Sequence, residues 1–359
     1  MEIKETLVEI AKSVHEELVK LFTANGIKRE QLGKFGELFY DELDGYLTNG
    51  GKRVRPFLTI TAFNAVDGDH TQGNIVRAAL AIELLHNGSL LHDDVIDKDE
   101  TRRGRPAFRV VFRDVFSEKK QDKGIRAVEF GEAMSIFAGD LCFPYAIESL
   151  TRSGFPEERS IRALHSFAQA FREVIDGVIL ETGDAILHDG NEETYKLMIS
   201  LKTGALIRKA IEIGAILGNG TQSQIDALVK YCDGIGTAFQ IQDDILGVFG
   251  DPDETGKPVG GDVREDKQTI LRIKAMKEGT KNQIERLKAL MGKRDLTKEE
   301  LDEVRLIYKK SGSLDYSLQM IEKATKDAID ALDEADPALK DEPKNHLIAL
   351  AMYLAARKK

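Results

Sequence analysis

The chain has 359 residues, of which 42% are hydrophobic and 31% are charged, and its formal net charge at pH 7 is −10. This composition is ordinary for a globular protein, but the acidic balance argues against nucleic-acid binding, which requires a basic surface. Only two cysteines, Cys142 and Cys232, are present, so we expect no disulfide framework and a reducing, cytoplasmic setting. The N-terminus lacks a signal-peptide core, and no apolar run approaches the ~20 residues of a membrane span.

Apolar residues spaced three and four apart predict helices along most of the chain. The predicted helices cover residues 3–22, 35–47, 57–66, 71–96, 128–150, 157–187, 193–217 and 222–248. The helical pattern returns from Lys267, with a turn near 292–297 and with Pro337 and Pro343 breaking the end. Strand-like alternation is nearly absent, and no linker or repeat is visible. We therefore predict an all-α protein with a single domain over residues 1–359.

Two segments lack the helical pattern. Phe108–Arg126 is basic, and we expect it to be irregular and to form a surface insertion. Residues 251–262 are rich in Pro, Gly and Asp, and they predict a polar loop long enough to close over a site.

The stretch Glu83–Asp97 is mostly apolar but ends in acidic residues, and a basic run with Arg102 and Arg103 follows it. Asp93 and Asp97 are four residues apart, so they share one face of the predicted helix. Mg²⁺ prefers oxygen ligands and shares them with substrate phosphates, and guanidinium groups bind the same phosphates in two-pronged fashion. A solvated helix end is the plain alternative, but the arginines that follow favour a metal–diphosphate site.

A second acidic pair, Asp243 and Asp244, lies on another apolar helix and is followed by Lys257 and Lys267. Two such helices facing each other could hold several Mg²⁺ ions that bind a diphosphate leaving group. Ionisation of an allylic diphosphate gives a carbocation, which needs an apolar, dry cavity below the metals because water would quench it.

The order of the motifs resembles that of the trans-isoprenyl diphosphate synthases, the polyprenyl synthetase family, and in particular its geranylgeranyl and longer polyprenyl members. The resemblance spans residues 40–270. It rests on the following residues: Gly51–Pro56, His86, Asp93–Asp97 with Arg102 and Arg103, Lys202 and Thr203, and Gln240–Asp244 with Lys257 and Lys267.

The resemblance implies a Mg²⁺-dependent prenyltransferase that condenses isopentenyl diphosphate with allylic diphosphates, head to tail and all-trans. Three Mg²⁺ ions bridged by diphosphate are implied, and Mn²⁺ could replace them. The fold implied is a helical barrel around a central apolar cavity, and the assembly implied is a homodimer. The diphosphate itself would remove the final proton, so no protein base is needed.

The resemblance also implies a role for each matching residue. The metal ligands would be Asp93, Asp97 and Asp243, while Asp94 and Asp244 would be secondary and would orient lysines or metal-bound waters. Isopentenyl diphosphate would be bound by Lys52, Arg55, His86 and Arg103. The allylic diphosphate would be bound by Arg102, Lys202, Lys257 and Lys267. Lys202, Thr203 and Gln240 would lie near the reacting carbons.

One departure from the family pattern is Gly247, which replaces the third aspartate of the second cluster. Asp251 or Asp253 could compensate, and we expect activity to survive.

Product length would depend on the helix below Asp93, because side chains tilt towards the helix N-terminus. Gly88 and Ser89 lie one turn below, where short-chain relatives often carry an aromatic residue, and Leu84 and Leu85 lie a turn deeper. Each turn of depth accommodates about one five-carbon unit. We therefore expect a twenty-carbon product, with twenty-five or more carbons as the rival, and we expect Gly88→Phe to shorten it.

Two other functions remain open from the sequence. A class I terpene cyclase also ionises allylic diphosphates, but it has no use for the residues of a second diphosphate site. A non-catalytic regulatory subunit of a heteromeric synthase would tend to lose its metal aspartates, whereas this chain keeps both clusters.

Overall fold

We describe the computed structural model over residues 3–24, 29–121, 123–187, 190–250 and 259–356. Among the described residues, the regular secondary structure is helical apart from one pair of two-residue strands, which confirms the all-α class. Helices α1 to α6 are Ile3–Ala24, Gly33–Thr48, Val54–Ala65, Ile75–Ile96, Phe108–Lys120 and Ile125–Thr151. Helices α7 to α10 are Glu157–Leu187, Glu192–Ile199, Ala205–Leu217 and Gln222–Phe249. Helices α11 to α16 are Gly261–Arg264, Ile270–Glu278, Lys281–Leu290, Lys298–Lys310, Ser313–Ala331 and Asp341–Ala355.

Most of the predicted helices are confirmed within a few residues of their ends. The predicted helix 193–217 consists of α8 and α9 joined by a π-helical turn, Ser200–Gly204. The prediction for Pro343 was wrong: it lies in the first turn of α16, where a proline is tolerated because its missing N–H would have no partner inside the helix. Pro337 does lie in the connection before α16.

The segment from Phe108 was wrongly predicted to be an irregular surface insertion, because it forms helix α5 with a buried face. Phe108 and Phe112 are fully buried, and their ring centroids lie 4.9 Å apart. The Phe108 ring also packs edge-on against Phe39 of α2 at 5.5 Å. The four-residue spacing of these aromatics is a helical signal that the basic residues around them in the sequence obscured.

The chain divides into two compact units, residues 1–167 with 210–220 and residues 168–209 with 221–359. In the first unit, α4 is apolar on most of its surface and packs along α6. A Cβ atom at Gly88 would lie 3.0 Å from the Cβ of Cys142 and 3.1 Å from the carbonyl oxygen of Gly139. The two helices therefore approach closely because glycines face each other across the contact.

In the second unit, α10 packs along α15. A Cβ atom at Gly234 would lie 2.5 Å from the carbonyl oxygen of Ala324, so this contact also depends on a glycine. The buried Tyr231 hydroxyl donates to the carbonyl oxygen of Leu347 at 2.6 Å, which ties α16 to α10.

The prediction of one domain over residues 1–359 stays a prediction.

None of the helices in the described ranges has the length and hydropathy of a transmembrane segment.

Candidate active site

The C-terminal end of α4 presents the first acidic cluster. The backbone N–H of Asp97 donates to the carbonyl oxygen of Asp93 at 2.8 Å, so the two residues are one helical turn apart. Asp93 is half-buried and Asp97 is exposed, whereas Asp94 is fully buried. Two carboxylates on one face and one turn apart offer the hard oxygen donors that Mg²⁺ prefers.

Asp94, which by the resemblance would orient lysines or metal-bound waters, accepts hydrogen bonds from Arg102. The Nε–Oδ1 distance is 2.7 Å, and a second guanidinium nitrogen contacts the same oxygen. Burial raises the pKa of Asp94, and Arg102 opposes that shift. The Oδ2 atom of Asp94 is buried and has no hydrogen-bond partner among the described residues.

A tight hairpin brings Arg102 back to α4. Thr101–Arg102 pairs antiparallel with Arg105–Pro106, and the two turn residues, Arg103 and Gly104, have φ values of 53° and 73°. Positive φ at both central positions is the hairpin turn whose twist matches that of the strands. The Arg102 guanidinium also pairs with Asp99 at 2.8 Å. The Arg102 side chain, which we predicted to bind the allylic diphosphate, is therefore held in place beside the acidic cluster.

Basic residues of α3 and the hairpin gather around His86. Burial lowers the pKa of His86 well below 6.5, and the nearby Arg55 and Arg103 lower it further. Burial also lowers the pKa of Arg55 to about 10, and its Nε atom is buried without a hydrogen-bond partner in the described part of the chain. These side chains form a positively charged cluster around a neutral imidazole, which we call the basic pocket and which suits an anionic ligand. Lys52 is exposed at the turn before α3.

The second acidic cluster lies on α10 within a chain of hydrogen bonds. The Tyr195 hydroxyl donates to Asp244 Oδ2 at 2.6 Å, and Gln240 Nε2 donates to Asp244 Oδ1 at 3.0 Å. The Thr203 hydroxyl donates to Gln240 Oε1 at 2.7 Å. Burial raises the pKa of Asp244 to about 7, with Asp262 adding to the shift. Thus Asp244 orients a tyrosine and a glutamine rather than a lysine, while its neighbour Asp243 is half-buried.

Lys202 and Thr203 lie on the π-helical turn, where the helix is locally wider. Such a turn is an insertion in an α-helix and is frequent at functional sites. A Cβ atom at Gly177 of α7 would lie 2.6 Å from the backbone nitrogen of Lys202, so α7 and the π turn are in backbone contact. The ammonium group of Lys202 forms an ion pair with Glu181 of α7.

Gly247 leaves room for the carboxylate of Asp262. A Cβ atom at position 247 would lie 2.5 Å from Asp262 Oδ2, and the Gly260 N–H donates to the Gly247 carbonyl oxygen at 2.8 Å. Asp262 also lies 3.5 Å from the Lys267 ammonium group. An acid therefore stands beside position 247 although the residue there has no side chain. The two residues expected to compensate, Asp251 and Asp253, lie outside the described residues, as does Lys257.

The choice of Gly88 as an open position in the product path was wrong. A Cβ atom at this position would lie 3.0 Å from the Cβ of Cys142, 3.1 Å from the carbonyl oxygen of Gly139 and 3.2 Å from the ring of Phe143, all on α6, so the small size of Gly88 serves helix packing. Leu84 and Leu85 are fully buried. Ser89 is half-buried, and its hydroxyl donates to the His86 carbonyl oxygen at 2.8 Å, within its own helix.

The donor set fits Mg²⁺ but does not enclose it. Among the described residues, no three His, Cys, Asp or Glu side chains are arranged to hold a metal ion. Mg²⁺ usually keeps several waters and binds through one or two carboxylates plus substrate phosphates. Asp93 with Asp97 on α4 match that open kind of site, and Asp243 on α10 belongs to the other unit.

Several residues of the site escaped the sequence reasoning. The buried ion pair of Arg53 with Glu83, the hydrogen bonds of Asn87 and Tyr195, and the pairs made by Glu181 and Asp262 were not predicted. The one available signal was Glu83 with Asn87, two polar residues four apart in an apolar helix, since buried charges are almost always paired.

The chain is similar in sequence and in structure to known proteins. A family model described as polyprenyl synthetase matches residues 37–308. The chain is 37% identical over 296 residues to a short chain isoprenyl diphosphate synthase of Methanothermobacter thermautotrophicus, covering 81% of this chain and 83% of that protein. It is 34% identical over 358 residues to a geranylgeranyl diphosphate synthase of Sulfolobus acidocaldarius, covering 98% and 97%. A crystal structure of geranylgeranyl pyrophosphate synthase from Corynebacterium glutamicum, complexed with isoprenyl diphosphate and magnesium, has a TM-score of 0.90 and 29% identity, covering 99% and 100%.

Proposed function

The chain belongs to the polyprenyl synthetase family, and on that premise we propose that this prenyltransferase condenses isopentenyl diphosphate with allylic diphosphates to make geranylgeranyl diphosphate. The observation that carries the proposal is the basic pocket around His86. It lies in the same unit as the acidic end of α4, but it consists of different residues. An enzyme that joins two diphosphate substrates needs one site with metal ligands and one with cations alone.

On the allylic side, the acidic residues are the proposed metal ligands: Asp93 and Asp97 on α4, and Asp243 on α10. Bound Mg²⁺, which we propose as three ions, would neutralise the diphosphate and assist its departure as a leaving group. Arg102 would bind diphosphate oxygens from its place beside Asp94, because its guanidinium is already oriented. Lys202, Lys257 and Lys267 would add positive charge as the leaving group forms.

On the isopentenyl side, Arg55 and Arg103 would bind the diphosphate, with Lys52 at the exposed edge. His86 would donate or accept a hydrogen bond as a neutral imidazole, because burial among arginines disfavours its protonated form. A pocket of this kind gains affinity from charge without a metal ion, so isopentenyl diphosphate would keep its diphosphate while its double bond attacks the carbocation.

Around the reacting carbons, the proposed residues are Lys202, Thr203 and Gln240. The Thr203 hydroxyl is directed at Gln240 and the Gln240 amide at Asp244, so their polar atoms are already hydrogen-bonded. A carbocation would therefore meet oriented dipoles instead of a competing nucleophile. The released diphosphate would take the final proton, as in the resemblance described above.

The proposed product has twenty carbons, and products of twenty-five or more carbons are the alternative. The similarity to the Sulfolobus protein supports the first, because that relative carries the name geranylgeranyl diphosphate synthase and covers almost the whole chain. Ser89, half-buried and small, is our proposed determinant of product length, with the buried Leu84 and Leu85 below it.

We also propose a homodimer and a cytoplasmic location. In the second unit, α7 exposes Ile175, Ile179 and Ile186, which recur at four- and seven-residue spacing along one face. An exposed apolar stripe of that kind is typical of an interface between subunits. The free thiols of Cys142 and Cys232 support a reducing compartment.

The proposal is tested with the purified protein alone, supplied with Mg²⁺, isopentenyl diphosphate and an allylic primer, followed by sizing of the products. We expect geranylgeranyl diphosphate as the main product. Asp93→Asn should abolish its formation, while Asp330→Asn, an exposed position on α15, should not. Turnover that requires a second, different chain would favour the regulatory-subunit alternative. A hydrocarbon product formed without isopentenyl diphosphate would favour the terpene cyclase.

A further inference from the structure

Asn87 is a buried polar residue in the middle of α4, with 1% of its surface exposed. Its Nδ2 group donates to the Glu83 carbonyl oxygen at 2.7 Å and to Glu83 Oε1 at 3.0 Å. Its Oδ1 atom accepts from Arg103 Nη2 at 3.1 Å. Turning the amide over would place its NH₂ group against a guanidinium and its oxygen against a carboxylate. The orientation of the side chain is therefore fixed by its neighbours on both sides.

Glu83 is itself immobilised by a buried arginine. The Arg53 Nη1–Glu83 Oε1 distance is 2.5 Å, and Arg53 Nη2 donates to the Leu47 carbonyl oxygen at 2.7 Å. Both charged side chains are less than 5% exposed. Removing one partner of a buried, hydrogen-bonded ion pair strongly destabilises the folded protein. The Arg53–Glu83 pair therefore stays formed and provides a rigid anchor for Asn87.

Arg103 lies at the outer end of this chain of contacts. It is exposed and lies on the hairpin turn rather than on a helix. Apart from Asn87, its guanidinium donates to the Asn49 carbonyl oxygen at 3.1 Å and stands 5.9 Å from the centre of the Tyr46 ring. Holding a long arginine in one rotamer costs side-chain entropy. The contact with Asn87 reduces that cost before the substrate binds.

We propose that Asn87 is a positioning residue that holds the Arg103 guanidinium in place for isopentenyl diphosphate by linking it to the buried Arg53–Glu83 pair. An amide suits this task because it orients the guanidinium and leaves its positive charge available. A carboxylate at the same position would neutralise that charge. The inference depends on the proposed function, which assigns Arg103 to the isopentenyl diphosphate site.

The experiment compares steady-state constants of Asn87→Leu, which has a similar size but no polar atoms, with those of the natural protein. We expect the KM for isopentenyl diphosphate to rise about tenfold, the equivalent of one good hydrogen bond. The KM for the allylic substrate and kcat should change less than twofold. Asn87→Asp, which keeps an acceptor for Arg103 but adds a negative charge, should raise the same KM at least as much. Asn345→Leu, at an exposed position of α16, serves as the control for handling of the variants.

A double-mutant cycle with Arg103→Leu separates positioning from general damage. If Asn87 acts through Arg103, adding Asn87→Leu to Arg103→Leu should raise the KM no further. The inference would be overturned if Asn87→Leu raised the KM for isopentenyl diphosphate equally in the natural protein and in Arg103→Leu. It would also be overturned if Asn87→Leu alone left this KM unchanged. Should Asn87→Leu fail to fold, Asn87→Ser, whose hydroxyl is too short to reach Arg103, takes its place in the same cycle. Failure of the proposed function would look different, because the natural protein would then show no saturable dependence on isopentenyl diphosphate.

Discussion

At the scale of single residues, the site contains charged groups whose ionisation is set by burial and by neighbouring arginines. His86 is the clearest case, because Arg53, Arg55, Arg102 and Arg103 all disfavour its protonated form in addition to burial. A neutral His86 would serve as a hydrogen-bonding group for isopentenyl diphosphate, and it would also make the stability of the protein depend on pH.

The sign of that dependence follows from the lowered pKa. Below pH 6.5 the histidine of the unfolded chain binds a proton that the folded protein excludes. The free energy of unfolding should therefore fall as the pH falls from 7.5 to 5.5. In urea denaturation at these two pH values, His86→Gln should lose less stability than the natural protein. His165→Gln, an exposed position on α7, should behave like the natural protein. Equal losses in all three proteins would refute the assignment.

The sequence predicted which residue types form the site but not how they pair. Asp93 and Asp97 were predicted because helical spacing places them on one face. The pairing of Asp94 with Arg102 depends on a hairpin turn, and that of Tyr195 with Asp244 joins residues 49 positions apart. Periodicity within a helix carries no information about either contact, and it gave no sign that Asp262 stands beside Gly247.

At the scale of helices, close backbone contacts position the segments that carry the proposed site residues. The π turn that carries Lys202 and Thr203 rests against Gly177 of α7. In the first unit, Gly88 of α4 lies against Gly139 of α6 in a similar way. A Cβ atom would lie 2.6 Å from its nearest neighbour at Gly177 and 3.0 Å at Gly88, so substitutions there should act through the position of a whole helix.

Gly177→Ala tests the first of these contacts. The added Cβ atom would lie 2.6 Å from the Lys202 nitrogen, so the π turn must move away. We expect a loss of roughly 1–3 kcal/mol in the free energy of unfolding, typical of overpacking, together with a reduced kcat. Gly183→Ala on the same helix meets nothing within 4 Å, and it should keep full activity. Full activity and stability of Gly177→Ala would show that the position of the π turn is unimportant.

Ser89→Phe tests the proposed determinant of product length. A ring at this half-buried position should stop elongation early, so the main product should shift from twenty carbons towards fifteen in a radiolabelled chain-length assay. Gly88→Phe should instead lower the yield of folded protein, because its ring would meet α6. A folded Ser89→Phe protein with unchanged product length would contradict the role of Ser89.

Helix positions were predictable because apolar spacing is a local property of the chain. Helix α5 escaped because Arg109, Arg113 and the lysines near its end dominated its composition. The structure absorbs two of these charges in ion pairs, since Arg109 and Arg113 both bind Glu100, at 3.0 and 2.9 Å. The fit of α4 to α6 could not be predicted, because a glycine in a helix looks the same whether it faces solvent or another backbone.

At the scale of the whole molecule, each of the two units contributes proposed catalytic residues. The first carries Asp93, Arg102 and the basic pocket, and the second carries Lys202, Gln240 and Asp243. We therefore expect substitutions of the proposed residues in either unit to impair product formation.

The proposed homodimer can be tested through the exposed apolar face of α7. Ile179→Asp places a charge where 64% of the isoleucine surface is exposed, and it should convert the dimer to a monomer in sedimentation equilibrium. Val8→Asp, at a similarly exposed position on α1, should leave the dimer intact. A natural protein that sediments as a monomer would contradict the proposed dimer, and a dimeric Ile179→Asp would contradict the proposed interface.

The central claim is that two diphosphate substrates are joined, one ionised at the acidic clusters and the other bound by the basic pocket. Release of inorganic diphosphate, measured with an allylic diphosphate and Mg²⁺ in the presence and absence of isopentenyl diphosphate, tests it most directly. We predict that release depends on isopentenyl diphosphate and equals, mole for mole, the isopentenyl units incorporated. In Arg55→Gln the isopentenyl diphosphate concentration needed for half-maximal release should rise. Rapid release without isopentenyl diphosphate would contradict the account.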